Sequence, residues 1–154
     1  MRMWMVQPEI MCKNHLLGEH REIHMMAGYI NNHHKIGRYK YLIEVQSLLV
    51  RHNQLVQEMN KRGYQHNTPL PDIDLSSVKP DEFVKIDQTQ SLNILLGRCK
   101  DCRMLYMKTY NLTPYYAKLE ELVYQQPNVN TVKDRQNRYQ INNALQLIEH
   151  LTNI

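Results

Sequence analysis

The apolar run near the start of this chain, Met3 to Val6, stops after four residues at Gln7, Pro8 and Glu9. That is far short of the apolar stretch of a signal peptide, about 7–15 residues, or of a membrane-spanning helix, about 20. The expectation is a soluble chain with no secretory leader and no membrane partner. Cysteine is scarce and odd in number, with Cys12, Cys99 and Cys102 alone, which argues against a disulfide framework and for a reducing, intracellular compartment. Phe and Trp occur once each. No five-residue stretch alternates with a period of two, so strands have no signature. There is no internal repeat and no low-complexity tract. At 154 residues and 42% hydrophobic, one core is the default. The 19 basic residues exceed the 15 acidic ones, for a net charge of +4, and that balance permits an anionic partner without proving one.

What the chain does contain is helical periodicity. Asn14 is a good N-cap, and Leu16, Leu17, Ile23, Met26, Ala27 and Ile30 return at helical intervals in a Pro-free stretch to about Asn31. After the basic connection HHKIGRYKY, Leu42, Val45, Leu49, Val56 and Met59 predict a second amphipathic helix, stopped by Gly63 at C′. Residues 66–80 carry three prolines and read as an ordered loop. Asp87 and Gln90 resemble a capping box opening a third helix, with Leu92, Leu95, Leu96, Cys99, Cys102 and Tyr106 on one face. Thr113-Pro114 opens a further helix, and Thr131 with Asp134 caps a last one to about Leu151, whose apolar side is Ile141, Ala144, Leu145, Ile148 and Leu151. The expected fold is all-α, a compact single-domain helical bundle.

Residues 15–24, HLLGEHREIH, concentrate the chemistry. His20 and His24 stand one turn apart and can share a metal ion, but the intervening glutamate is at the third position rather than the second, which is not the zincin arrangement. On a helical wheel His15, Glu19 and Glu22 share one face and His20 and His24 another, which splits a ligand set that needs three or four converging groups. Solvated histidines are the plainer reading. Cys99-Lys-Asp-Cys102 is a lone CxxC without a second ligand pair, and both thiols fall on an apolar stripe, so core packing accounts for them better than zinc. Ten Tyr and the cation excess suit nucleic acid, where cations meet phosphates and flat rings stack on bases. The same rings equally suit the edge of an amphipathic core.

Taken together, Arg2, His15, Leu16, the block Glu19-His20-Arg21-Glu22, Gly28, His33 and Gly37 resemble, without a gap, the first forty residues of the pyrimidine dimer DNA glycosylase family, the bacteriophage endonuclease V type of repair enzyme. VQEMNKRGY at 56–64 is similar to that family's helix ending in KRG plus an aromatic. Arg98 with its basic neighbour fits too, and Tyr115-Tyr116-Ala-Lys118 resembles the family's aromatic and basic tail, displaced by a few residues. The resemblance is specific to about residue 64, weaker to 118 and absent beyond. It implies a glycosylase-like helical domain over 1–118, with the N-terminal segment threaded against the first helix, and a helical extension of unknown role over 119–154 packed on it.

The family works through an N-terminal amine. An α-amine has a reference pKa of about 7.7–8.0 against about 10.4 for lysine, so a far larger share is unprotonated and nucleophilic at neutral pH. Aligned without gaps, that amine falls on Met1, next to Arg2. Met1 is expected to be retained, because a bulky second residue blocks its excision. The resemblance makes Glu22 the essential carboxylate, assisting sugar-ring opening as an acid and later taking the neighbouring proton as a base. Arg2, Arg21 and Arg98 match phosphate and site arginines, and His15 a DNA-contacting histidine. Arg103 partly replaces a lysine expected where Cys102 stands. Tyr115, Tyr116 and Lys118 complete the implied DNA contacts. Met25 occupies a position where the family carries arginine, which puts affinity or lesion choice in question.

The implied activity is a DNA glycosylase with associated abasic-site lyase activity on damaged pyrimidines, cyclobutane dimers foremost, in double-stranded DNA, acting as a monomer with no metal and no organic cofactor. Two other readings stand beside it. One is a non-catalytic helical DNA-binding module, for which a blocked Met1 would speak. The other is a metal-binding regulator built on His20, His24 and the CxxC, for which stoichiometric zinc would speak.

Overall fold

The computed structural model describes residues 1–125 and 143–153. Among them are six α-helices, short 3-10 turns and no strand: α1 (Lys13–Asn31), α2 (Leu48–Lys61), α3 (Gln88–Arg98), α4 (Lys100–Thr109), α5 (Tyr116–Gln125) and α6 (Ala144–Thr152). The protein is all-α. None of these helices is long and apolar enough to cross a membrane. The chain divides into two units, one of Met1–Pro8 and Lys13–Gln88, the other of Glu9–Cys12 and Thr89–Ile154.

In the first unit α1 packs on α2. α1 buries Leu16, Glu19, Ile23, Met26, Ala27 and Ile30, a stripe at helical spacing in which one carboxylate stands in register with the apolar residues. α2 does the same with Leu48, Arg51, His52, Leu55 and Met59. This corrects the sequence-based stripe: Leu49 is 57% exposed and Val56 is only half-buried, because two polar residues, Arg51 and His52, hold core positions that a count of apolar residues assigns to the neighbouring face. The stretch around Val45 forms a 3-10 turn, Val45–Ser47, before α2 begins.

α2 stops as expected at Gly63, at φ 80°. The Gly63 N–H meets the Asn60 carbonyl at 3.0 Å and the Tyr64 N–H reaches back to Met59 at 2.8 Å, the paired bonds of a Schellman motif. The proline-rich loop beyond is ordered by side chains: Asn31 donates to the Asp72 carbonyl (2.9 Å) and accepts from the Asp74 N–H (2.8 Å). Lys40 pairs with Asp81 at 3.0 Å.

In the second unit the expected single third helix is two. Cys99 leaves helical geometry (φ −116°, ψ 109°) and caps α4, its sulfur accepting the Cys102 N–H at 3.3 Å. The break lets Arg103 turn back to the Leu96 carbonyl at the end of α3 (2.8 Å) while its Nε donates to Glu120 of α5 at 2.9 Å. An arginine so placed satisfies carbonyls that a helix end leaves without partners. Thr113–Tyr115 forms a 3-10 turn with proline at its start, leading into α5, and α5 packs on α6. Ala144, Ile148 and Leu151 of α6 are buried, and the Leu145 N–H donates to Asn93 at 3.0 Å. Thr131, Asp134 and Ile141 lie outside the described residues.

Candidate active site at the N-terminal segment

The N-terminal segment is held against α1 by an alternation of backbone bonds. The Arg2 N–H donates to Glu22 Oε2 at 3.0 Å and the Trp4 N–H to Glu19 Oε1 at 2.9 Å, while the Met3 N–H between them points away, to the Leu42 carbonyl at 2.8 Å. Residues two apart in an extended chain face the same side, and carboxylates three apart on a helix face the same way. The two periods meet here, so Glu19 and Glu22 read Trp4 and Arg2 in register.

The two carboxylates differ in what surrounds them. Glu19 is 1% exposed and bound in bidentate fashion by Arg51, at 2.5 Å and 3.1 Å. The same guanidinium donates to the Val6 carbonyl at 2.6 Å. Buried charges require this degree of pairing, so Glu19 and Arg51 form the anchor that fixes the segment at both Trp4 and Val6. Glu22 is half-buried, leaving it the carboxylate open to chemistry.

Backbone geometry places the α-amine of Met1 within about 3.7 Å of the Arg2 nitrogen, and so within about 7 Å of the Glu22 oxygen that nitrogen meets. Beside it, the Arg2 guanidinium stacks over Trp4 at 4.2 Å, and Trp4 meets His15 edge to face, with ring centroids 5.6 Å apart. Met1 and Arg2 are thus brought beside Glu22, and His15 is tied to Arg2 through the Trp4 ring. Arg21 is exposed on α1 and lines a separate cleft. Met25 is 54% exposed. Sequence reasoning missed the roles of Arg51 and Trp4, and placed Glu19 in the family-like block and among possible ligands without assigning it an anchoring role. The signal was there: Glu19 and Arg51 each occupy a core register position on its own helix.

The second unit carries the other expected residues. Arg98 and Tyr115 are exposed, and Tyr116 is half-buried. Lys118 is exposed and pairs with Glu121 at 3.3 Å. Arg103 is 0% exposed and held by Glu120; a guanidinium so enclosed offers nothing to a phosphate, which removes it from the set of DNA-facing cations. Cys102 is buried with Cys12, whose N–H donates to the Cys102 sulfur at 3.3 Å. Hydrogen bonds with Cys12 and Cys99, and then burial, push the Cys102 thiol well above its ordinary range.

On the other side of α1, His20 and His24 meet His52 of α2 and His66 of the loop after it. Burial, then His24, His52 and His66, lower the His20 pKa from 6.5 to about 4. Burial and the neighbouring histidines likewise lower His24. His52 is lowered chiefly by burial, against an opposing hydrogen bond to the Asn53 amide oxygen.

Residues 1–72 match the model of a known family, described as pyrimidine dimer DNA glycosylase. The matched stretch holds the N-terminal segment, α1, α2 and the beginning of the proline-rich loop. No curated protein and no solved structure matches the chain.

Proposed function

We propose, from the family match over residues 1–72, that this chain is a DNA repair glycosylase with associated abasic-site lyase activity, acting on cyclobutane pyrimidine dimers in duplex DNA through the α-amine of Met1. The observation that carries the reading is the 3.0 Å bond from the Arg2 N–H to Glu22, which holds the residue next to Met1 against a half-buried carboxylate. The amine lone pair attacks C1′ of the damaged nucleotide, and the bond to the base breaks with its electrons leaving on the base. One amine proton passes to the departed base; Glu22, as acid, then protonates O4′ as the nitrogen lone pair opens the sugar ring, leaving a protonated imine at C1′. Glu22, now a carboxylate, takes a proton from C2′, and the electrons released expel the 3′ phosphate. Water then hydrolyses the imine and frees the enzyme. A carboxylate that serves twice must be charged in one step and neutral in another, and the anchoring of the segment at Trp4 and Val6 falls to Glu19 and Arg51 instead.

Arg2, Arg21 and His15 are proposed to position the phosphate backbone of the duplex. Arg98, Tyr115, Tyr116 and Lys118 are proposed as further contacts. Borohydride added during turnover on a duplex with a defined cyclobutane dimer, or with an abasic site, is expected to reduce the imine and trap a covalent protein–DNA adduct. Absence of an adduct with both substrates overturns the proposal.

A further inference from the structure

Four histidines of the first unit have no part in that chemistry. His20 and His24 lie one turn apart on α1, His52 lies on α2, and His66 on the loop beyond it. One ring nitrogen from each lies within 4.8 Å of the others. The Nε2 atoms of His24 and His52 are 3.2 Å apart, and those of His20 and His66 are buried with no hydrogen-bond partner among the described residues. Buried polar nitrogens without partners are rare unless something else satisfies them. Tetrahedral zinc with bonds to nitrogen of about 2.0–2.1 Å sets its donors roughly 3.3–3.4 Å apart. The His24–His52 pair is close to that spacing already, and pairs at the 4.8 Å limit reach it by a closure of about 1.4 Å. Outside the ligand set, Asn53 Oδ1 is 3.2 Å from His52 Nδ1. A bond there puts the ring proton on Nδ1 and turns the Nε2 lone pair inward, as the outer partner of a metal-bound histidine does.

We propose that His20, His24, His52 and His66 bind one divalent transition-metal ion of the zinc class. A set of four imidazoles without a carboxylate excludes calcium and magnesium, which take oxygen ligands. Four protein ligands close the shell, so the ion is structural and ties α1, α2 and the loop at 64–68 together. A cleft of about 530 Å³, lined by His20, His24, His66, Arg21, Gln65 and Asn67 among others, gives it an entry path. Glu22 lies between His20 and His24 in sequence but on another face of α1, so the ion steadies the turn that carries the proposed acid–base without touching it.

The test uses the full chain, stripped with a chelator and reloaded with cobalt(II) alone. One cobalt per chain is expected after gel filtration. Its visible absorption is expected to be that of a tetrahedral nitrogen site, without the intense near-ultraviolet band of a thiolate ligand. His66→Gln, on a loop, is expected to weaken binding by more than about 100-fold, beyond the effect of losing an outer partner such as Asn53, while helical circular dichroism is retained. Replacing Cys12, Cys99 and Cys102 together by Ser is expected to leave cobalt bound. The proposal is overturned if the wild-type chain retains no cobalt, if His66→Gln binds as tightly as wild type, or if the cobalt leaves with the cysteines.

Discussion

Removing the Arg51 side chain tests how the N-terminal segment is held. Arg51→Met keeps much of the volume and helix propensity but leaves Glu19, 1% exposed, without the bidentate partner at 2.5 Å and 3.1 Å, and the Val6 carbonyl without its donor at 2.6 Å. Breaking a buried pair by removing one partner costs about 3–5 kcal/mol, a large part of a total stability of about 5–15 kcal/mol. The double change Glu19→Leu with Arg51→Met removes both charges together. It still removes the Glu19 acceptor of the Trp4 N–H and the Arg51 donor to the Val6 carbonyl, at up to about 1–3 kcal/mol each, but strands no buried ion. Urea unfolding of both variants is the assay: Arg51→Met is expected to lose about 3–5 kcal/mol, and adding Glu19→Leu to it is expected to cost less than Glu19→Leu does alone, a coupling visible in a double-mutant cycle. An Arg51→Met protein within about 1 kcal/mol of wild type, or a cycle that closes additively, refutes the anchor.

Glu22→Gln keeps size and hydrogen bonding but loses proton transfer, and is expected to lower strand cleavage by about 100- to 10,000-fold with duplex binding within a few-fold of wild type; a cleavage rate near wild type removes Glu22 from the mechanism. Gly63→Ala meets no atom within 4 Å, so its effect is the left-handed backbone alone at φ 80°, about 1–2 kcal/mol, read as a lower melting temperature; an unchanged melting temperature contradicts that. In metal-free protein the depressed His20 pKa, about 4 instead of 6.5, with His24 and His52 lowered too, means that the unfolded chain takes up protons the folded one refuses. Stability is therefore expected to fall as pH drops from about 6.5 toward 4, seen as a falling urea midpoint that His20→Gln flattens; a midpoint that does not move across that window refutes the packing of the four rings.

The helices were legible where apolar spacing alone defines the buried face: α1 begins within two residues of His15, and Gly63 ends α2 as its neighbours predict. Legibility failed where polar residues fill core positions. Arg51 and His52 on α2 pushed the apparent stripe onto Leu49 and Val56, because periodicity counts side chains by hydrophobicity and cannot foresee that a buried charge has a partner. The break at Cys99 was hidden for a related reason, since its causes are a sulfur capping a helix and Arg103 reaching back to Leu96, both set by tertiary placement. Met1, Arg2 and Glu22 could be named from a family's spacing. The partition of labour between Glu19 and Glu22 could not, because it depends on which carboxylate Arg51 meets. His20 and His24 were visible as a pair, whereas His52 and His66 are 28 and 42 residues beyond His24 and only the packing of α1 on α2 and the loop brings them in.

The nucleophile is the center of the account, and mapping the borohydride-trapped adduct by mass spectrometry tests it most directly. After digestion of the adduct, the sugar remnant is expected on the N-terminal peptide, at the α-amine of Met1, with every lysine unmodified. A remnant on an internal lysine, with the Met1 amine free, contradicts the account.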